Sequence, residues 1–381
     1  MSQMFPPNQA AETMSAVSFK VLVVASLRYP IAEPFAGGLE AHTASLARGL
    51  RARGHSVVVA GAAGSDPEMV DHVFGALPRH AAGERADTME NPAVRAAELA
   101  GFAGLTEDLH SDLLGHFDII HNNSLYPLLV ERADSLPCPL ITTLHTPPLP
   151  WAERILGPGG RSDGHFIAVS RSTALSWSRF LSPRVVLNGI DTRWWRPGPG
   201  GPEAVWSGRI VAEKAPHLAI DIARAAGLGL AIAGPIVDQG YFRTQVAPQL
   251  DERIRYVGHL NSGELAELVG RSAVALVTPA WDEPFGLVAA EALACGTPVV
   301  AFARGGLPEV VGTASGRLLP VPRSTRLDPD EMAAARAALR EALGLDRRTV
   351  RREAETRLSD TAMVRGYEDV YQDAVLAWDR L

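Results

Sequence analysis

Short runs of β-branched and aliphatic residues recur along this chain, each separated from the next by a longer stretch with helical spacing. In the first half the runs are FKVLVVAS, HSVVVAG, FDIIHNN, PLITTLH, HFIAVS and RVVLNGI, and GLEAHTASLARGLRARG is the first helix. The pattern breaks at TRWWRPGPGGPE, residues 192–203, where Pro and Gly accumulate. It then restarts with AVWSGRI, LGLAIAG, RIRYVGHL, VALVTPA and TPVVAFA as strands, and HLAIDIARAAG, SGELAELVGR and FGLVAAEALACG as helices. A strand that is apolar along its whole length is buried on both faces, so alternation with helices predicts a parallel sheet covered on each side. Two such alternations predict an α/β protein of two Rossmann-like doubly wound lobes, 18–191 and 204–364, joined by a linker at 192–203. Their cleft lies at the carboxyl ends of the sheets. A length of 381 residues suits two domains. The last helix, about 365–381, is expected to pack back on the first lobe.

Composition narrows the function classes. Apolar residues make up 46%, charged residues 21%, and the formal net charge is −7, which fits an ordinary soluble chain and lacks the basic footprint of a nucleic-acid binder. Cys138 and Cys295 stand far apart among small or apolar residues and read as reduced core thiols. Residues 1–17 have neither a basic start nor a continuous apolar run and read as a disordered leader. No segment offers the roughly 18 uninterrupted apolar residues of a membrane span, so a cytoplasmic protein is expected, with peripheral membrane contact through an amphipathic face left open.

The stretch WDEPFGLVAAEALACGTPVVAF, residues 281–302, holds two glutamates eight positions apart among apolar and small residues. Asp282, Pro284 and Gly286 end the preceding strand, so a helix is expected to start near Phe285 or Gly286 with Glu291 a turn inside it. Ala289, Ala290, Ala292 and Ala294 leave room for a ligand against that helix. An acceptor-only carboxylate at Glu291 suits a vicinal pair of hydroxyls such as those of a ribose. The amides of Phe285, Gly286 and Leu287 at the helix start suit a phosphate or polar sugar oxygens. Together they read as a cradle for a nucleotide sugar.

EPFGLVAAE and the following ALACGTPVVAFARGGLPEVV resemble the Glu, seven residues, Glu signature of the retaining glycosyltransferases of family 4. The Gly37–Gly38 loop, NGID at 188–191, SGRIVAEK at 207–214 and the terminal helix near Tyr371 follow in the family's order. The resemblance implies a GT-B fold and transfer of a sugar from a nucleotide-sugar donor, a UDP- or GDP-sugar being expected, with retention of anomeric configuration. The acceptor would be a hydroxyl of a glycan, a lipid-linked sugar or a small molecule, chosen by first-lobe loops such as 62–110. It also implies that Glu283 and Pro284 meet the donor sugar and that Glu291 holds the ribose. Residues of SGRIVAEK, Arg209 and Lys214, fall where a diphosphate would arrive, and two fixed cations there would stabilise the charge growing on the leaving group. On their own they would read as solvated surface charges. Ala215 stands where the family commonly has glycine.

Gly37 and Gly38 let the backbone come close to a phosphate, although alone they fit a plain strand-to-helix turn. The loop lacks the spacing of a dinucleotide site or a P-loop, which argues against a dehydrogenase or an ATPase. His145 ends the strand PLITTLH, and the resemblance gives a strand-end histidine a donor-sugar hydroxyl. Thr146 replaces the usual aspartate, and His121 in DIIHNNS is a competing candidate. Glu40 and His42 on the first helix read as helix-start charge and packing. The one Asp-x-Asp spacing, Asp328-Pro329-Asp330, reads as a helix cap, so no metal site and no cofactor beyond the donor is assigned. DRRTVRRE, residues 346–353, reads as a solvated helix face. Two other readings stay open: a nucleotide-sugar epimerase of similar architecture, and a non-catalytic nucleotide-sugar binder.

Overall fold

The structure is a computed structural model that describes residues 18–77, 91–111, 113–157 and 165–380; the expected leader at 1–17 lies outside them. The first sheet contains β1 (Lys20–Val24), β2 (Ser56–Ala62), β3 (His72–Gly75), β4 (Ile119–Asn122), β5 (Leu140–Leu144), β6 (Phe166–Ala168) and β7 (Arg184–Val185). The second contains β8 (Ala204–Ser207), β9 (Leu230–Ala233), β10 (Ile254–Gly258), β11 (Val274–Val277), β12 (Val299–Phe302) and β13 (Gly316–Leu319). Strand orders are β3-β2-β1-β4-β5-β6-β7 and β10-β9-β8-β11-β12-β13, with every pair parallel. Each order reverses once, between β1 and β4 and between β8 and β11. The loops leaving those strands diverge there and open a crevice.

Two elements depart from the sequence reading. Stretch 62–110, taken as loops, contains β3 and the helix Pro92–His110. β3 is half-exposed at the sheet edge and therefore lacks the solid apolar run of an inner strand. The helix buries Val94, Phe102, Leu105 and Leu109, but interleaved Ala and Gly blur its stripe. The returning helix also begins earlier than expected, running Asp360–Trp378. Leu358 belongs to the core of the second lobe and Met363 to that of the first. The crossover lies beside the outward one, where Ile190 N donates to Leu358 O at 2.7 Å and Asp360 N to Ile190 O at 3.0 Å.

The linker 192–203 is fastened. In the helix Arg347–Arg357, Arg347 donates to Gly198 O of the linker at 3.4 Å, and to Gly270 O at 2.9 Å, Ser272 O at 3.0 Å and Thr297 Oγ1 at 2.8 Å beside it. Arg351 donates to Thr192 O at 2.6 Å, to Trp195 O at 2.5 Å and to Ala294 O. These two arginines of DRRTVRRE are turned inward, which corrects their reading as a solvated face. Cys138 and Cys295 are free and buried. Asp328 caps the helix Pro329–Leu343, accepting from the amides of Asp330 and Glu331.

Candidate functional site in the interlobe cleft

A cavity of about 500 Å³ lies between the carboxyl ends of the two sheets, and Gly37, Gly38, His145, Arg209, Lys214, Glu283, Pro284, Phe285, Gly286, Leu287 and Glu291 all line it. They arrive from the loops after β1, β5, β8 and β11 and from the helix Leu287–Ala294.

Lys214 and Glu283 face each other. Lys214 Nζ lies 2.5 Å from Glu283 Oε2, and the same oxygen accepts from Trp281 Nε1 at 3.1 Å. Arg209 Nη2 pairs with Glu213 Oε1 at 2.9 Å. Both cations of SGRIVAEK therefore sit on the cavity wall with carboxylate partners, and an arriving diphosphate would share or displace those partners. Ala215 adopts φ 46°, left-handed backbone, and starts the helix Pro216–Ala225. That conformation is the physical reason a glycine suits the position after the lysine.

The helix Leu287–Ala294 begins one residue later than Gly286, which caps it at φ 99°. Among the described residues, no hydrogen bond is made by the amides of Phe285, Gly286 and Leu287, the orphan donors of a helix start, and all three residues line the cavity. Glu291 lies at the cavity floor, where desolvation raises its carboxyl to about 7. Desolvation of this kind disfavours the charged form of the carboxyl. Gly37 has extended backbone at φ −167°. A Cβ on Gly38 would come within 2.9 Å of Leu287 Cδ1, so this glycine admits a side chain of the opposite lobe.

The two histidines read from sequence as strand ends have separate environments: His121 lies inside β4, and His145 one residue beyond β5. His121 is fully buried, with Nδ1 2.5 Å from Tyr371 Oη and Nε2 2.8 Å from Thr143 Oγ1. It is a satisfied core residue beneath the cleft. His145 lines the cavity, and its Nε2 lies 2.5 Å from Asn123 Oδ1. Asn123 Nδ2 donates to Thr43 Oγ1 at 2.7 Å, and that hydroxyl donates to Leu39 O at 2.8 Å. This chain makes Asn123 Oδ1 an acceptor and assigns the proton of His145 to Nε2, which leaves Nδ1 as the acceptor for a ligand. Burial first, then the neighbouring His42 and His121, holds His145 well below the ordinary imidazole value. His42 is buried, its ring 4.8 Å from that of His145, and desolvation pushes it down to about 4.

Sequence reasoning took Glu40 for helix-start charge and passed over several other residues. Glu40 is buried at the cavity wall, as is Asn188 of NGID, whose Oδ1 has no partner among the described residues. Trp281 also lines the cavity. Gly305 and Gly306 support the glutamate loop from below: Gly306 N donates to Glu283 O at 2.7 Å. The run ARGGLPE carried the signal, but its partner lies some twenty residues upstream. The lobes touch on both sides of the cavity. Ser170 Oγ donates to Pro284 O at 2.6 Å, and Glu309 accepts from the amides of Arg171 and Ser172. Across the mouth, Ser262 N donates to Glu33 Oε2 at 2.7 Å. Among the described residues, no group of three or more His, Cys, Asp or Glu side chains has metal-site geometry, and no helix is long and apolar enough to cross a membrane.

Comparison with known proteins agrees with this architecture. Residues 36–194 match the family model Glycosyltransferase Family 4, and residues 196–338 match Glycosyl transferases group 1. The chain is 29% identical to the D-inositol 3-phosphate glycosyltransferase of Mycobacterium marinum over 361 residues, covering 80% of this chain and 75% of the relative. In fold it is similar to AviGT4, a glycosyltransferase involved in avilamycin A biosynthesis, with a TM-score of 0.69 at 22% identity over 94% of this chain and 98% of that one. It is equally similar to Anabaena Alr3699/HepE in complex with UDP and glucose, with a TM-score of 0.70 at 17% identity over 93% and 100%. With a family 4 domain on its first lobe and a group 1 domain on its second, the chain belongs to the glycosyltransferases of GT-B fold.

Proposed function

We propose that this glycosyltransferase moves a sugar from a nucleotide-sugar donor, a UDP- or GDP-sugar, to an acceptor hydroxyl with retention of anomeric configuration and without a metal ion. The observation that carries the reading is the convergence of Arg209, Lys214, Glu283, Glu291 and His145 on one cavity at the two sheet-reversal points. Glu291 accepts the ribose hydroxyls. The free amides of Phe285 to Leu287, with Arg209 and Lys214, take the diphosphate, and Glu283 and His145 Nδ1 accept from hydroxyls of the sugar. The bond between the anomeric carbon and the diphosphate oxygen breaks as a bond to the acceptor oxygen forms on the same face, and the acceptor proton passes to the departing diphosphate. Charge grows on that diphosphate, so the two cations act more strongly on the transition state than on the ground state. Glu283, already bonded by Lys214 and Trp281, suits the role of hydrogen-bond acceptor better than that of nucleophile. A hydroxyl of a glycan, a lipid-linked sugar or a small molecule enters along the first-lobe wall at Ser26, Arg28 and Leu125.

A thermal-shift screen against UDP, GDP, ADP and their common sugars identifies the donor, since a ligand of the folded state raises the melting temperature. Arg209→Ala and Lys214→Ala then lower turnover by on the order of a hundredfold, while a chelator leaves it unchanged. Near wild-type turnover in both variants, restoration by magnesium or manganese after loss in chelator, an epimerised donor, or an inverted product would each overturn part of the reading.

A further inference from the structure

Both members of the Lys214–Glu283 pair touch one further side chain. Trp281 gives its indole N–H to Glu283 Oε2 at 3.1 Å, and the Lys214 ammonium lies 4.9 Å from the centroid of its ring. The face of the indole thus meets the cation and its edge meets the anion, each with the complementary part of the ring's charge distribution. The backbone fixes this arrangement: Ala280 N, just before Trp281, donates to the carbonyl of Glu213, just before Lys214, at 2.7 Å. The loops after β8 and β11 are stitched together at the point where the three side chains meet.

We propose that Trp281 is a positioning residue of the donor site, holding Glu283 and Lys214 in their working geometry before and during donor binding. The proposal rests on the donor-site reading above. When a diphosphate draws the ammonium away, Glu283 loses its charged partner beside an anionic leaving group. The indole N–H is a neutral donor that the diphosphate does not compete for, so it keeps the carboxylate aimed at the sugar. The ring face meanwhile limits how far the ammonium swings. Trp281 acts through its neighbours and takes no part in bond making.

Two measurements test this, one of them without ligand. In protein labelled with 15N at the indole nitrogens, the chain's seven tryptophans give separate side-chain resonances, and Trp281→Phe identifies the one from Trp281. Glu283→Gln is expected to move that resonance upfield and to leave the others in place. An unmoved resonance overturns the contact. The second measurement uses whichever nucleotide sugar of the thermal-shift screen, among the common UDP-, GDP- and ADP-sugars, the wild-type protein turns over. Trp281→Phe keeps a ring face but loses the N–H, and should lower kcat about tenfold, the usual size for a hydrogen bond to a charged group. Donor KM and affinity for the bare diphosphate should stay within about twofold. Trp281→Leu, which loses the face as well, should also weaken the bare diphosphate severalfold. Wild-type kcat in Trp281→Phe, or losses for every ligand that simply track a lowered melting temperature, would overturn the positioning role. A shifted resonance in a protein that turns over none of the screened nucleotide sugars would overturn the role too, and would place the fault in the donor-site reading and not in the contact.

Discussion

Gly305 has no polar side chain, yet it fixes a carboxylate in the cleft. Its φ is 58°, and a Cβ there would stand 2.1 Å from Glu283 O and 2.6 Å from Glu283 N. Backbone atoms cannot yield as the end of a flexible side chain can. Gly305→Ala should therefore displace the Glu283 loop and lower transfer at least about tenfold, as expected when a transition-state contact is misplaced. Steady-state kinetics beside a thermal melt checks this, and unchanged kcat with the variant folded would refute it. Glu291 offers a pH test. Its folded value of about 7 lies above the ordinary 4.5, so between those values the folded protein holds a proton that the unfolded chain has released. Stability then falls as pH rises from about 4.5 to 7, and above 7 the full burden of a buried charge is present. Glu291→Gln removes that burden: its unfolding free energy should match the wild type near pH 4.5 and exceed it at pH 8 by up to about 3 kcal/mol, read as a higher melting temperature at pH 8 only. A difference independent of pH would show that the carboxyl is not desolvated in the free protein. If Glu291 binds ribose as a carboxylate, nucleoside diphosphate affinity should rise between pH 6 and pH 8 in the wild type and stay flat in the variant.

The element that most repays attention is the helix Arg347–Arg357, because it anchors another helix. Arg351 donates to Ala294 O at the carboxyl end of the Leu287–Ala294 helix, and to Thr192 O and Trp195 O of the linker. A cation at a helix carboxyl terminus is favourable in itself, and here it also satisfies three carbonyls that would otherwise be short of donors. Arg351→Met keeps much of the stem but strands those carbonyls. It should lower stability by about 2 to 4 kcal/mol, read as a reduced urea midpoint at unchanged slope. No loss would mean that water replaces the guanidinium there without penalty.

At the scale of the whole molecule, the two lobes are not independent units strung on a linker. The helix Asp360–Trp378 leaves the second lobe and places Met363, Val364, Tyr367, Val370, Tyr371 and Ala374 in the core of the first, beside Phe19, Val21 and Leu50. Fully burying one large apolar side chain contributes roughly 1.5 to 3 kcal/mol. Removing several together takes away about as much as the roughly 5 to 15 kcal/mol by which a domain is stable. A chain ending at Ser359 should therefore lack a cooperatively folded first lobe, which calorimetry would show as a missing transition. A truncated protein with the melting profile of the full chain would contradict this.

Local chemistry made much of this protein legible in sequence. Solid apolar runs announced the inner strands, since a strand covered on both faces has no polar alternation to offer. The restart after TRWWRPGPGGPE announced two lobes. The two glutamates of WDEPFGLVAAE stood out because carboxylates among alanines need a partner, whereas Arg209 and Lys214 alone would have passed for surface charges and were picked out only with that cradle downstream. What sequence did not carry were the half-exposed edge strand β3, the Gly- and Ala-diluted helix Pro92–His110, and every pairing made across distance. Lys214 meets Glu283 across 69 positions, His145 meets Asn123 across 22, and His121 meets Tyr371 across 250. Only the fold decided that His121, inside β4, is a core residue and that His145, one residue beyond β5, is a cleft residue. The reason is geometric: a strand's own sequence fixes which residues are apolar, whereas the crossing of the last helix over the sheet covers His121 within β4 and leaves the residue after β5 open to the cleft.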